Sequence, residues 1–142
     1  MKKLLVPVDG SAASLNAAKA AVALAKLSAG ASIHLVHAHE EPIVYGEIAV
    51  YVPREKIDAA QRAHSEAILA EAEAAVRESG VPYTRETLVG PIGLTIAQHA
   101  ERTGCDAIVM GRHGKTTLGD MLVGSVAMKV LHASRLPVML VR

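Results

Sequence analysis

The 142 residues are enough for one compact domain (1–142) with its own core, and the 51% apolar content includes no Phe or Trp and only three Tyr, so that core is aliphatic. Fifteen basic residues against fourteen acidic ones leave a formal net charge of +1; with neither a strong field nor aromatic stacking platforms, nucleic acid is not an expected partner. A single cysteine, Cys105, excludes an intrachain disulfide and a cysteine-based zinc site and fits a reducing, cytoplasmic setting; no apolar run reaches the ~18 residues of a membrane span, and Asp9 and Gly10 end the N-terminal run too early for a signal peptide.

Lys3 to Val8 is a short apolar run closed by Asp9-Gly10, as in a strand buried on both faces. Ser11 then caps a helix expected to run through the alanine-rich stretch to Ala29, with Gly30 as its left-handed stop. Ser32 to His39 reads as a second strand, and Glu40 to Glu55, with two prolines and no clean period, as a connection. A long amphipathic helix is predicted over Lys56–Ser79, ended by Gly80. Tyr83–Leu88 follows as a third strand, then a helix with Pro91 as its first residue and Leu94–Arg102 as its body. Ala107–Met110 is a fourth strand, Ser125 to about Ala133 a helix, and Val138–Val141 a fifth strand. Strands alternating with helices require right-handed crossovers, so the predicted fold class is α/β, a single doubly wound, Rossmann-like five-stranded parallel sheet with helices on both faces. Pro7 suits this scheme only near the carboxyl end of its strand, where pairing finishes.

Ligands of such sheets sit beyond the carboxyl ends of the strands, where strand order reverses. Two segments there have suitable chemistry: Asp9-Gly10-Ser11 after the first strand, and Gly111-Arg112-His113-Gly114-Lys115-Thr116 after the fourth. The second contains G-K-T but is not a phosphate-binding loop of the Walker type, because the required earlier glycine falls on Val109. Its glycines let a ligand approach the backbone, and the helix start at Gly124-Ser125 offers unpaired N–H groups and a positive dipole end to an anion.

Gly111, Gly114, Gly124 and Ser125 form the pattern G-x-x-G, nine residues, G-S. It resembles the ATP-binding signature of the universal stress protein family, and LLVPVDGS, CDAIVMG and PVMLVR resemble the same family across the rest of the chain. The resemblance implies strand order 3-2-1-4-5 and ATP at the switch point, with Mg²⁺ admitted alongside the nucleotide. Carried onto this sequence, it places Pro7, Val8 and Asp9 around the adenosine, with the Asp9 carboxylate on the ribose hydroxyls and the backbone near Ala38 at the adenine edge. It places Gly111 and Arg112 at ribose and phosphate, and Gly114, Gly124, Ser125 and Val126 at the phosphates. It also implies a homodimer through the C-terminal strand, whose apolar edge has no later element to cover it.

The blander readings are a turn and helix cap for Asp9 and Ser11, and an ordinary N-cap for Ser125. Seven histidines invite a metal, His37 and His39 first, but strand-end histidines are more often packed or solvated. His113 reads as a turn residue, and Cys105 has no basic neighbour to activate it. No catalytic grouping stands out, so the expected function is a nucleotide held as ligand or signal in a stress response with little or no hydrolysis. The alternatives are a metal-dependent ATPase or nucleotidyl-transfer enzyme, with Asp9 or Asp120 holding Mg²⁺, and a nucleotide-free dimeric scaffold.

Overall fold

The computed structural model describes residues 1–42, 52–114 and 123–142. Its strands are β1 (Lys3–Pro7), β2 (Ser32–His39), β3 (Tyr83–Val89), β4 (Ala107–Gly111) and β5 (Val138–Val141). The helices among the described residues are α1 (Ala12–Ala25), α2 (Arg54–Ser79), α3 (Ile92–Arg102) and α4 (Ser125–Ala133). Every strand pairing is parallel, in the order β3-β2-β1-β4-β5. The chain therefore builds outward from β1 in one direction, then crosses back to add β4 on its other side. That reversal opens a crevice between the carboxyl ends of β1 and β4.

Period-two alternation along the strands divides the core. Leu4, Val6, Ile33 and Leu35 pack with α1 and α2, whereas Leu5, Val36, Ala38 and Ile108 pack with α3 and α4. The buried face of α1 is Ala17, Ala18 and Ala21, all without solvent exposure. With no bulky group to hold it off, the helix lies close against the sheet. On α2 the buried residues Ser65, Ile68, Leu69, Ala72 and Val76 recur at three- and four-residue steps, one stripe of a long and otherwise polar helix.

Several boundaries differ from the sequence expectation for local reasons. Helix α1 ends at Ala25, not Ala29: the N–H groups of Leu27 and Ser28 donate to Leu24 and Ala25, tightening the chain into three-residue turns. Gly30, at φ +79°, closes that turn and not the helix. Pro91 and Pro53 are N-caps just outside their helices, so α3 begins at Ile92 and α2 at Arg54, two residues before Lys56. Ser125 is the first residue of α4 and Gly124 its cap, with no side-chain cap bond. Pro7 ends β1, and the ladder continues one step past it through the Val8 N–H to the Val36 carbonyl at 2.8 Å. The segments 43–51 and 115–122, which include much of the predicted 40–55 connection together with Lys115 and Asp120, lie outside the described residues.

Candidate functional site

A cavity of about 460 Å³ occupies the crevice, within the range of small-molecule sites. Pro7, Val8 and Asp9 leave β1 into it, and His37, Ala38 and His39 reach it from the end of β2. Gln61 and His64 come from α2, Ile92 and Ile96 from α3, and Met110, Gly111, His113 and Gly114 from β4 and its exit. The first turn of α4 completes the wall with Ser125, Val126 and Ala127 behind Gly124. Nine of the ten sequence-predicted site residues thus share one cavity.

Arg112 is the exception. Its N–H donates to Val141 at 2.8 Å and its carbonyl accepts from the Gly124 N–H at 2.6 Å, which ties the loop down beside β5. Its Nε and the Nδ1 of His113 are buried with no hydrogen-bond partner among the described residues. Buried polar atoms of this kind are costly to leave unmatched, and of the two residues only His113 lines the cavity.

The glycines make room chiefly for the protein itself. A Cβ on Gly111 would lie 3.0 Å from the Ala13 carbonyl carbon and the Ser14 nitrogen, so this position lets α1 press against the end of β4. A Cβ on Gly114 would come within 2.5 Å of Asp9 Oδ2, so this glycine leaves space for the Asp9 carboxylate. A Cβ on Gly124 would meet the His113 backbone at 3.0 Å. Asp9 is meanwhile oriented from below: its Oδ1 accepts from the Ser11 N–H at 2.9 Å, and Ser11 Oγ accepts from the Ser14 N–H at 3.1 Å. Asp9 and Ser11 are therefore a turn and a cap as well as residues of the cavity wall.

The two sides of the cavity differ in chemistry. Toward β2 and α3 the wall is mostly apolar or imidazole, with Val8, Ala38, Ile92 and Ile96 alongside His37 and His39 and with Glu40 as the charged exception, and the His64 ring stands edge-on to His37 at 6.1 Å. Burial holds the His37 imidazole below its ordinary value, against the opposing effect of its hydrogen bond to Val8. Toward α4 the first backbone N–H groups of the helix have no intrahelical acceptor, and the helix dipole favours negative charge there. One side suits a flat heteroaromatic group and the other an anion.

Composition and spacing missed Gln61 and His64, which lie a turn apart in the first half of a helix that looked merely amphipathic. They also passed over His37 as a packed residue. The grouping with metal-ligand geometry among the described residues is His34, Glu86 and His99, not His37 and His39. Among the described residues no helix is long and apolar enough to cross a membrane.

The model of the universal stress protein family matches residues 1–142. Universal stress protein YxiE of Bacillus subtilis is 35% identical over 146 aligned positions, covering 99% of this chain and 98% of its own. Universal stress protein UspA from Lactobacillus plantarum superposes with a TM-score of 0.81 at 24% identity, over 99% of this chain and 97% of that one. A universal stress protein solved in complex with cAMP superposes at 0.69 with 25% identity, over 99% and 96% of the two chains.

Proposed function

The chain belongs to the universal stress protein family, and on that premise we propose that it binds ATP in the crevice between β1 and β4, as a ligand or signal with little or no hydrolysis. One observation carries this reading: a single cavity joins the oriented Asp9 carboxylate on the β1 side to the N-terminus of α4 on the other. A nucleoside needs an acceptor for its ribose hydroxyls and its phosphates need donors, and the two stand at opposite sides of the same space. The cAMP bound by a relative of this fold adds weight to an adenine nucleotide.

In this reading Pro7, Val8 and Ala38 border the adenosine and Asp9 takes the ribose hydroxyls. His37, whose Nδ1–H is committed to the Val8 carbonyl, keeps Nε2 as an acceptor for an amino group. Gly111 and Arg112 flank ribose and phosphate, and His113, which lines the cavity, offers its unmatched Nδ1 as a hydrogen-bonding partner on that side. Gly114 leaves the Asp9 carboxylate its place. Because the Gly124 N–H already serves Arg112, the phosphates fall to the amides of Ser125 and Val126 and the Ser125 hydroxyl, with any Mg²⁺ carried on the phosphates. The setting is cytoplasmic, and β5, an edge strand with Met139 44% exposed, pairs two copies into a homodimer.

The test is direct. Mass spectrometry of small molecules released from the denatured protein should find an adenine nucleotide. Titration calorimetry of stripped protein should show ATP binding that Asp9→Ala weakens at least tenfold. Finding neither a released nucleotide nor any heat with ATP would favour a nucleotide-free scaffold. Turnover of labelled ATP that persists through purification and vanishes in Asp9→Ala would favour an enzyme.

A further inference from the structure

On the α3 face of the sheet, away from the Asp9 crevice, two histidines and a glutamate converge. His34 lies in the middle of β2, Glu86 on the edge strand β3, and His99 in the last turns of α3. Both imidazoles are buried, while the Glu86 side chain is 50% exposed. His34 Nε2 and His99 Nε2 are 3.0 Å apart, and the same Glu86 oxygen, Oε2, lies 3.3 Å from the first and 3.2 Å from the second.

Hydrogen bonds account for at most two of these three separations. Each neutral imidazole can aim at most one N–H, so a triangle of two ring nitrogens and a carboxylate oxygen leaves at least one side with no proton along it. Ligands around a common centre do give such a triangle. Tetrahedral zinc bonds nitrogen and oxygen at about 2.0–2.1 Å, which spaces its ligand atoms by about 3.3 Å, and a point at that distance from all three atoms exists because the triangle is this small. We propose that His34, Glu86 and His99 form a site for a divalent transition metal of the zinc type, with its fourth position open to solvent beside Glu86.

The surroundings fit a ligand set. The far nitrogen of His34, Nδ1, is 2.6 Å from Thr84 Oγ1, so an Nδ1–H donated to that hydroxyl leaves Nε2 as a bare lone pair facing the centre. Burial, and then the neighbouring His99, hold the His34 imidazole below its ordinary value, with Glu86 acting the other way. Glu86 brings a hard anionic oxygen and, being half exposed at the sheet edge, an entry path. Two groups oppose binding. Lys3 acts on His34 as a like charge, and the Arg102 guanidinium approaches His99 Nδ1 at 3.4 Å. That contact is long and Arg102 is exposed, so the side chain can turn to solvent while His99 takes its proton on Nδ1. A bound ion would fasten the edge strand and α3 to β2, adding a cross-link to the β2–β3 ladder and to the packing of α3 on the sheet. The site shares no residue with the nucleotide cavity and does not depend on the ATP reading.

The experiment uses the full chain stripped with a chelator and then titrated with Zn²⁺ against a chromogenic competitor. One equivalent should bind. Thr84→Val should weaken it about 10- to 100-fold, Glu86→Gln more, and His132→Ala, a change at an exposed histidine on α4, not at all. Glu86→Gln sits on a half-exposed side chain, so an unchanged circular dichroism spectrum would show that its loss of zinc is not a loss of fold. Anomalous scattering at the zinc edge from crystals grown with equimolar Zn²⁺ should place the ion among the three residues. Failure of the stripped protein to compete for Zn²⁺, undiminished binding in folded Glu86→Gln, or an anomalous peak beside His37, His39 and His64 would each overturn the proposal.

Discussion

His37 donates from Nδ1 to the carbonyl oxygen of Val8 at 2.8 Å, across the boundary between β2 and the end of β1. The bond fixes the tautomer of a buried ring and holds the exit of β1 against its neighbour. Burial is the largest influence on its pKa and lowers it; the Val8 bond and Asp9 raise it, and the positive fields of His39 and His64 lower it. The folded pKa therefore lies below the unfolded value near 6.5, and the unfolded chain takes up the proton first. The stability from this group is complete above about pH 6.5 and is lost as pH falls from there through the folded pKa. Thermal melts of chelator-treated protein should show Tm falling as pH drops from about 7 to about 5, and His37→Gln should make that fall shallower. An unchanged slope in the variant would mean that His37 is not held neutral by the fold.

Gly111 and Gly114 should fail in opposite ways when a methyl group is added. Gly111→Ala drives a Cβ against the backbone of Ala13 and Ser14, which cannot yield without moving α1, so a loss of about 1–3 kcal/mol of stability is expected. Among the described residues Gly114→Ala meets only the end of the Asp9 side chain, which can swing away. Its melting temperature should change little while nucleotide affinity falls. Paired melts and calorimetry of the two variants decide the matter, and the same phenotype in both would refute the distinction.

Nucleotide binding should appear as thermal protection. A ligand that binds only the folded state at a hundred times its Kd adds about 2.7 kcal/mol, which for a chain of this length is several degrees in Tm. ATP should give this shift in stripped wild-type protein and much less in Asp9→Ala. Equal protection in both would remove Asp9 from the site.

A charge on the exposed edge strand should block self-association. Met139→Lys leaves the core of β5 intact, since Met139 faces solvent, but puts a solvated ammonium where two sheets would join. Light scattering coupled to size-exclusion chromatography should read a dimer for the wild type and a monomer for the variant. A wild-type monomer at micromolar concentration would end the dimer proposal.

Most of the sheet was legible because its strands are short apolar runs set between turn residues: KLLVP before Asp9-Gly10, AIVMG before the loop, VMLV after Pro137. A run of that kind has little choice of conformation in a chain of alternating elements. Helix ends were less legible. Lys26 to Ala29 contains good helix formers, and the chain leaves the helix there only because its carbonyls are recruited into tighter turns leading to β2. At the crevice, Asp9 and the Gly124-Ser125 helix start could be placed from order alone, since they follow β1 and precede α4. The purposes of Gly111 and Gly114 could not, because the atoms they spare, in Ala13 and Asp9, come from the opposite end of the chain. The His34, Glu86 and His99 cluster was invisible for the same reason. It depends on the β2–β3 register and on how α3 docks, and 65 residues separate its histidines.

The 2.6 Å bond from the Gly124 amide to the Arg112 carbonyl clasps two points that are twelve positions apart along the chain. The clasp holds the first turn of α4 beside the end of β4. Insertions or deletions between Gly114 and Val123 change the entropy of closing that ring only with the logarithm of its length. Changes of length there therefore cost little, so long as the bond between Gly124 and Arg112 is kept.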